Sequence, residues 1–393
     1  MSERRILAIP GPIIFEPHVL RSISIGHLSH MSSEFVWLFA EVLGGLRRLL
    51  FVDDDYKVVV LAGSGTLAME AGVSNFIDKG SRVLVVSNGV FGDRFVELLS
   101  QYPVEVDVLK VDEPGEVVSS EKIFSKLSEE DYDLVTVTHV DTSTGVRHPI
   151  EELGAFLKDK ETLLVVDGVC SVAGEEIRMR DWGIDVVLTG SQKAIGVPPG
   201  LAILWLSPKA IEKLDKTKGK CAPYYMNLCR WLSIMRSYEN LKPKYFATPA
   251  VNLIVGLHES LELIFKEGLE DRFKRHRILA ESFRKAMVEI GLKVMAKKED
   301  IAASTVTAVY LPEKVQLSSF LKGMLKRNVV VAGGIYPEIK DRYFRVGHMG
   351  PANANDVISI IAAIERTLHD LGLKIQLGSG VGAAQEVLAK HEY

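Results

Sequence analysis

The chain has 393 residues, which suggests about two or three domains rather than one core. Its 47 basic and 51 acidic residues give a formal charge of −4, so no global basic field points to nucleic acid or an anionic membrane surface. Cys170, Cys221 and Cys229 are odd in number and unpatterned, which excludes a disulfide framework and a zinc site and fits a reducing, cytoplasmic compartment. No stretch approaches the roughly 18 uninterrupted apolar residues of a membrane span, and the N-terminal run MSERRILAIPGPIIFEP is too short and Pro-broken for a signal peptide.

From residue 56 to about 206, strand-like runs alternate with helical patterns. The strands are predicted at 56–63, 82–88, 104–111, 134–140, 162–168, 185–190 and 201–207, with helices at 66–77, 94–102 and 150–160 between them. Most of these strands are continuous Val/Leu/Ile runs, the pattern of strands buried on both faces. Their alternation with helices predicts an α/β, mostly parallel central sheet flanked by helices. The last two are joined by a short loop, so one is open to running antiparallel. The stretch 211–245 reads as irregular, and 252–291 reads as one long helix or two in succession, punctuated by Gly268 and Gly291. Strand-like runs at 307–312, 329–334 and 343–349 and helices at 315–328 and 354–372 form a smaller C-terminal α/β unit. The organisation expected is an N-terminal segment at 1–19, a large cofactor-binding domain at 20–245 and a small domain at 246–393. The tail 373–393 is weakly patterned, with a possible helix at 384–390.

Lys193 lies just beyond the strand in DVVLTGSQKAIGVPPG, where ligands gather at the carboxyl ends of parallel strands. A shielded lysine there has a lowered pKa and can form a Schiff base; alone, it would read as a solvated surface residue. Asp167 ends TLLVVDG and follows five apolar residues. It is either a cap on the next turn or the partner of a protonated ring nitrogen. Ser64, Gly65 and Thr66 lie between a buried strand and a helix, where freed N–H groups and the helix dipole favour a phosphate. The spacing Gly63-x-Gly65-x-x-Ala68 also fits a dinucleotide fingerprint, but the second strand ends in Ser87-Asn88 with no acid for a ribose. Phe91, in SNGVFGDRF, either folds onto the core or stacks on a flat ring. Thr142, in THVDTSTGVRHP, either serves the turn or binds a phenolate oxygen. Arg345, in YFRVGHMG, either ties the domains together or captures a carboxylate.

Taken together, the order and spacing of IPGPIIFEPHVL, IGHLSHMSSEF, SGTLAMEA, SNGVFGDRF, HVDTSTGV, VVDGVCS, WGIDVVLTGSQKAIGVPPGLA, GLEDRFKRHRILAE and FRVGHMG strongly resemble the alanine–glyoxylate/serine–pyruvate aminotransferases. These are class V enzymes of the fold-type I pyridoxal-phosphate transferases, and the resemblance covers nearly the whole chain. It implies pyridoxal 5′-phosphate bound covalently to Lys193, with Asp167 on the ring nitrogen and Phe91 stacked on the ring, where many relatives carry tryptophan. It further implies Ser64, Gly65 and Thr66 on the phosphate, Gln192 beside the lysine and Thr142 near the ring oxygen. Arg345 would take the substrate carboxylate, and Gly26 would lie near the active site. Tyr245 and Thr248 match residues that serve the neighbouring subunit's phosphate, which implies a homodimer with shared sites. The expected activity is ping-pong transfer of an amino group from alanine or serine to glyoxylate or pyruvate, with no nucleic-acid or membrane partner.

Four other readings remain open at this point. Within the same cofactor class they are cysteine desulfuration and transfer to a phosphonate or ureido substrate. Outside it they are a non-catalytic binding protein on this fold and a nicotinamide oxidoreductase. Neither Cys221 nor Cys229, in KCAPYYMNLCRW, resembles a desulfurase loop, and the complete set of Lys193, Asp167 and Arg345 argues against a mere binding protein.

Overall fold

A computed structural model describes residues 5–24 and 28–392. Strand β1 (Ile6–Leu7) is followed by helices α1 (Pro17–Ser24) and α2 (Ser33–Leu49). Then come β2 (Lys57–Gly63), α3 (Gly65–Ser74), β3 (Arg82–Ser87), α4 (Val90–Leu99), β4 (Glu105–Lys110), α5 (Ser120–Glu129) and β5 (Leu134–Thr138). A hairpin of β6 (Val140–Asp141) and β7 (Val146–Arg147) precedes α6 (Ile150–Leu157), β8 (Leu163–Asp167), β9 (Val186–Gly190) and β10 (Gly200–Leu206). Helices α7 (Pro208–Thr217), α8 (Leu228–Glu239), α9 (Val251–Glu267) and α10 (Leu269–Glu289) follow. The remainder is β11 (Val306–Tyr310), α11 (Leu317–Lys326), β12 (Val329–Val330), β13 (Ala332–Gly333), β14 (Tyr343–Gly347), α12 (Ala354–Asp370) and α13 (Ser379–Lys390).

Seven strands form the main sheet in the order β2-β10-β9-β8-β5-β3-β4. The five from β9 to β4 run parallel, while β10 is antiparallel to both β9 and β2. Every residue of β5, β8 and β9 is buried, as their continuous apolar runs require. Their carboxyl ends fall side by side: Thr138 pairs with Asp167, and Asp167 with Leu188. Asp167 lies on that shared edge, and Lys193 follows β9 just beyond it.

The long helical stretch is two helices. They meet at Gly268, whose φ of +90° is a left-handed conformation that a side chain would strain. Before this break, Ile254, Leu257, Leu261 and Ile264 of α9 belong to the first core, which therefore extends past residue 245. After it, Leu279, Phe283 and Met287 of α10 belong to a second core, built on the antiparallel sheet β11-β14-β13. The N-terminal segment joins that second core. Strand β1 pairs in parallel with β12, and Ala8 is buried among its residues.

Two regions read as irregular or weakly patterned are helical. Ser207 and Asn227 cap α7 and α8 through their side chains, and Pro208 opens α7. In the tail, α13 is longer than the sequence suggests. Its N-terminus is capped from outside by buried Glu365, which accepts the N–H groups of Gly378 at 2.8 Å and Gly380 at 2.7 Å.

Candidate active site

Lys193 projects from the turn that joins β9 to antiparallel β10. The turn closes on itself: Gly196 N–H donates to Lys193 O at 2.8 Å, and the Ser191 hydroxyl donates to Pro198 O at 2.8 Å. Lys193 is buried, and its Nζ donates to the carbonyl of Pro10. Burial lowers its pKa; Arg345 acts in the same direction, while Cys170 and Asp167 oppose. Gly11 lies against the lysine stem, since a Cβ there would sit 2.5 Å from Lys193 Cδ. The N-terminal segment thus crosses the lysine, and it is tied to the second core by Gly347 N–H donating to Ala8 O at 2.9 Å.

Asp167 ends β8 and is 2 % exposed. Its Oδ1 accepts Val169 N–H at 2.9 Å, and its Oδ2 accepts the Thr138 hydroxyl at 3.4 Å. Burial pushes its carboxyl up to about 7, against the Val169 hydrogen bond and the attraction of Lys193; nearby Asp141 adds to the rise. Such a group favours either its own proton or a cationic N–H facing it. Around Asp167, Gly65 approaches so closely that a Cβ on it would meet Val169 at 3.0 Å. A Cβ on Gly190 would meet Gln192 Oε1 at 2.7 Å and Gly65 N at 3.2 Å. The Gln192 side chain and the start of α3 are therefore neighbours of the two strand ends. Ser64 is the N-cap of α3 but makes no side-chain cap, and both Ser64 and Thr66 are exposed. The first N–H groups of α3 are therefore left without a side-chain cap.

Phe91 lies in the first turn of α4, with the Arg94 guanidinium 4.7 Å from its ring centroid. Thr142 is buried in the turn after β6, and its carbonyl accepts Arg345 Nη1 at 3.1 Å. Arg345, on β14, also donates Nε to Gly333 O at 2.9 Å. Among the described residues its Nη2 meets no hydrogen-bond acceptor, so one edge of the guanidinium remains for a ligand. Arg345 therefore ties the two cores together and still has donors to offer. Lys193 lies near enough to Asp167 and Arg345 for the charge of each to act on it. Tyr245 and Thr248 are exposed in the segment before α9, where Tyr245 contacts the His30 ring at 5.6 Å. Gly26 lies outside the described residues.

The sequence reading misses three contributors. Buried Arg272 donates Nε to Ala173 O at 2.9 Å and Nη2 to Ala194 O at 2.7 Å. It thereby pins the turn after Asp167, where Ala173 holds a strained φ of +62°, and the turn after Lys193. Asp141 is buried at the start of α4, and Pro10 offers a backbone carbonyl. Arg272 and Asp141 stand in quoted motifs but become informative only once their partners are known; Pro10 acts through an atom that every residue has.

The described residues thus bring to this edge of the sheet a buried acid, a buried lysine, a helix N-terminus without a side-chain cap and a guanidinium with donors to spare. Residues 20–335 match the family described as Aminotransferase class-V. The chain belongs to that family. This aminotransferase is 40 % identical to alanine–glyoxylate aminotransferase 1 of Saccharomyces cerevisiae, over 89 % of this chain and 93 % of the yeast protein. It is 31 % identical to serine–glyoxylate aminotransferase of Arabidopsis thaliana, over 99 % of this chain and 96 % of the plant protein. Among solved structures it is similar to pyridoxamine–pyruvate aminotransferase from Mesorhizobium loti, with a TM-score of 0.92 and 27 % identity over 99 % and 98 % of the two chains. The fold is accordingly that of the fold-type I aminotransferases, as the resemblance implies. No helix among the described residues is long and apolar enough to cross a membrane. No cluster of three or more His, Cys, Asp or Glu among them is arranged to hold a metal ion.

Proposed function

We propose that this aminotransferase uses pyridoxal 5′-phosphate to move an amino group from alanine or serine to glyoxylate or pyruvate. The observation that carries the reading is that buried Lys193 and buried Asp167 stand at neighbouring strand ends; the Asp167 carboxyl, pushed up to about 7, suits a cationic ring N–H. When bound, the cofactor supplies an electron sink for the charge left at the substrate Cα.

The chain's own residues do the rest. Asp167 would accept a hydrogen bond from the protonated ring nitrogen and so favour the proton's staying there. The N–H groups at the start of α3, with the Ser64 and Thr66 hydroxyls and Gln192, bind the phosphate. Phe91 would stack on the ring, and Thr142 would stand near its oxygen. Arg345 binds the substrate carboxylate through its unpaired edge and so orients the Cα–H bond toward the lysine. Lys193, its pKa lowered by burial, has more of the free amine needed to take the Cα proton as general base. Gly26 is assigned to the substrate side by resemblance alone. Exposed Tyr245 and Thr248 suit a second copy of the chain, so the working form is a homodimer with shared sites. Three free cysteines favour a cytoplasmic location.

The two curated relatives share glyoxylate in their names and differ in amino donor, alanine or serine. This favours glyoxylate as acceptor. Desulfuration is disfavoured: Cys170 is buried against Thr305, and burial pushes the Cys221 and Cys229 thiols up, away from thiolate. The test is a matrix of amino donors against oxo acids, run with the cofactor's visible spectrum as a second readout. Wild type should take up cofactor and Lys193→Ala should lose turnover. Undiminished transamination by that variant, or a wild type that never binds cofactor, refutes the reading.

A further inference from the structure

Asp141 is fully buried, and none of the roles above uses its carboxylate. Its Oδ2 accepts the backbone N–H of Phe91 at 3.0 Å and of Gly92 at 3.3 Å. Its Oδ1 accepts the Ser143 N–H at 2.9 Å and the Ser143 hydroxyl at 2.5 Å. Helix α4 starts here with no cap of its own, because its N-cap is Gly89. Its first N–H groups would otherwise be orphans. Three successive ones are satisfied from the 141–145 turn: Val90 donates to the Ser143 hydroxyl at 3.1 Å, and Phe91 and Gly92 donate to Asp141. The carboxylate also faces the positive end of the helix dipole. Only glycine fits at position 89, since a Cβ would lie 2.5 Å from Ser143 Oγ and 2.6 Å from the Asp141 carboxyl carbon.

The same turn reaches the second core. Thr144 and Gly145 N–H groups close it onto Asp141 O at 3.2 and 2.8 Å. Its next carbonyls then point outward as acceptors. Thr142 O takes Arg345 Nη1 at 3.1 Å, and Ser143 O takes the Tyr343 hydroxyl at 2.8 Å. One carboxylate therefore stands between the helix that carries Phe91 and the strand that carries Arg345.

We propose that Asp141 is a positioning residue that locks the first turn of α4 and the 141–145 turn into one wall, fixing the Phe91 ring relative to the Arg345 guanidinium. The proposal rests on the roles given above to Phe91 and Arg345. An asparagine keeps the shape but must turn its –NH2 group toward one set of N–H donors, so it cannot satisfy both oxygens' partners.

In Asp141→Asn, amide hydrogen exchange at Val90, Phe91 and Gly92 should rise tenfold or more, with the amides of α3 unchanged. The visible circular dichroism of protein saturated with pyridoxal phosphate should fall by at least half, and KM for the oxo acid should rise at least fivefold. Exchange at 90–92 equal to wild type overturns the proposal. Faster exchange with unchanged dichroism and KM also overturns it, leaving a plain helix cap. Should Asp141→Asn fail to fold, Ser143→Ala removes one leg of the network and must shift the same readouts in the same direction, or the proposal fails. A wild type that takes up no cofactor sinks the functional reading and this proposal with it. That result is distinct, because the exchange contrast between wild type and variant is measured without cofactor.

Discussion

Replacing Asp167 with asparagine tests the electrostatics on which the site depends. In the folded, cofactor-free protein burial pushes this carboxyl up to about 7, whereas an exposed aspartate titrates near its ordinary 3.8. Between those values the folded state binds the extra proton. A raised carboxyl pKa therefore costs stability progressively as pH rises from the unfolded value toward 7, and the cost is complete above it. From pH 5 to 7 the window spans about two pH units, and one unit is worth about 1.4 kcal/mol. Asp167→Asn, which has no such proton to lose, should therefore gain on the wild type by about 2–3 kcal/mol between pH 5 and pH 8. The assay is urea unfolding of both cofactor-free proteins across that range, taking the difference at each pH so that other titrations cancel. Cofactor affinity should change in the opposite sense. The variant loses a hydrogen bond to a charged group, worth about 1.5–3 kcal/mol, and should bind pyridoxal phosphate about 10–100-fold more weakly. A wild-type-minus-variant difference that stays flat from pH 5 to 8 refutes the reasoning, because it would mean that the carboxylate ionises at no cost.

Arg345→Gln should raise KM for amino acid and oxo acid alike and cut kcat/KM about 10–100-fold, the value of one charged hydrogen bond; Arg345→Lys should restore little, lacking the planar fork. Gly11→Ala forces a left-handed φ of +114° on a side chain and brings its Cβ within 2.5 Å of Lys193 Cδ. It should cost about 1–3 kcal/mol in unfolding experiments and weaken retention of cofactor colour on dialysis. Four buried histidines set the acid limit. Burial holds His139 and His276 well below their usual range, His148 at about 4 and His348 at about 3. The unfolded chain takes these protons first, so stability should fall as pH drops below about 6.5, by roughly 3 kcal/mol for His148 alone at pH 4. Urea midpoints that do not fall between pH 6.5 and 4 would contradict this.

The residues by themselves determine much of the sheet. Continuous apolar runs mark β5, β8 and β9 to within two residues, because a strand covered on both faces has no polar side to show. They also place Asp167 at the end of one strand and Lys193 just beyond another, and the register sets those two strand ends side by side. The helix break at Gly268 is legible for a similarly local reason: only glycine adopts that φ without strain. Helix α2 is one that the reading along the chain leaves unassigned, although Phe35, Val36, Phe39, Val42, Leu43 and Leu46 bury a single stripe about a third of its circumference wide. Its Gly45 would weaken an isolated helix, yet it lets Leu261 of α9 approach to 3.0 Å of the Cβ position. Tertiary structure alone decides that β1 pairs with β12, that Pro10 O meets Lys193, and that Asp141 caps a helix begun fifty residues earlier. Periodicity reports how much of an element is buried. It is silent about which distant backbone N–H or carbonyl will meet a given side chain, because that partner is chosen by the packing of whole elements and leaves no mark on local composition.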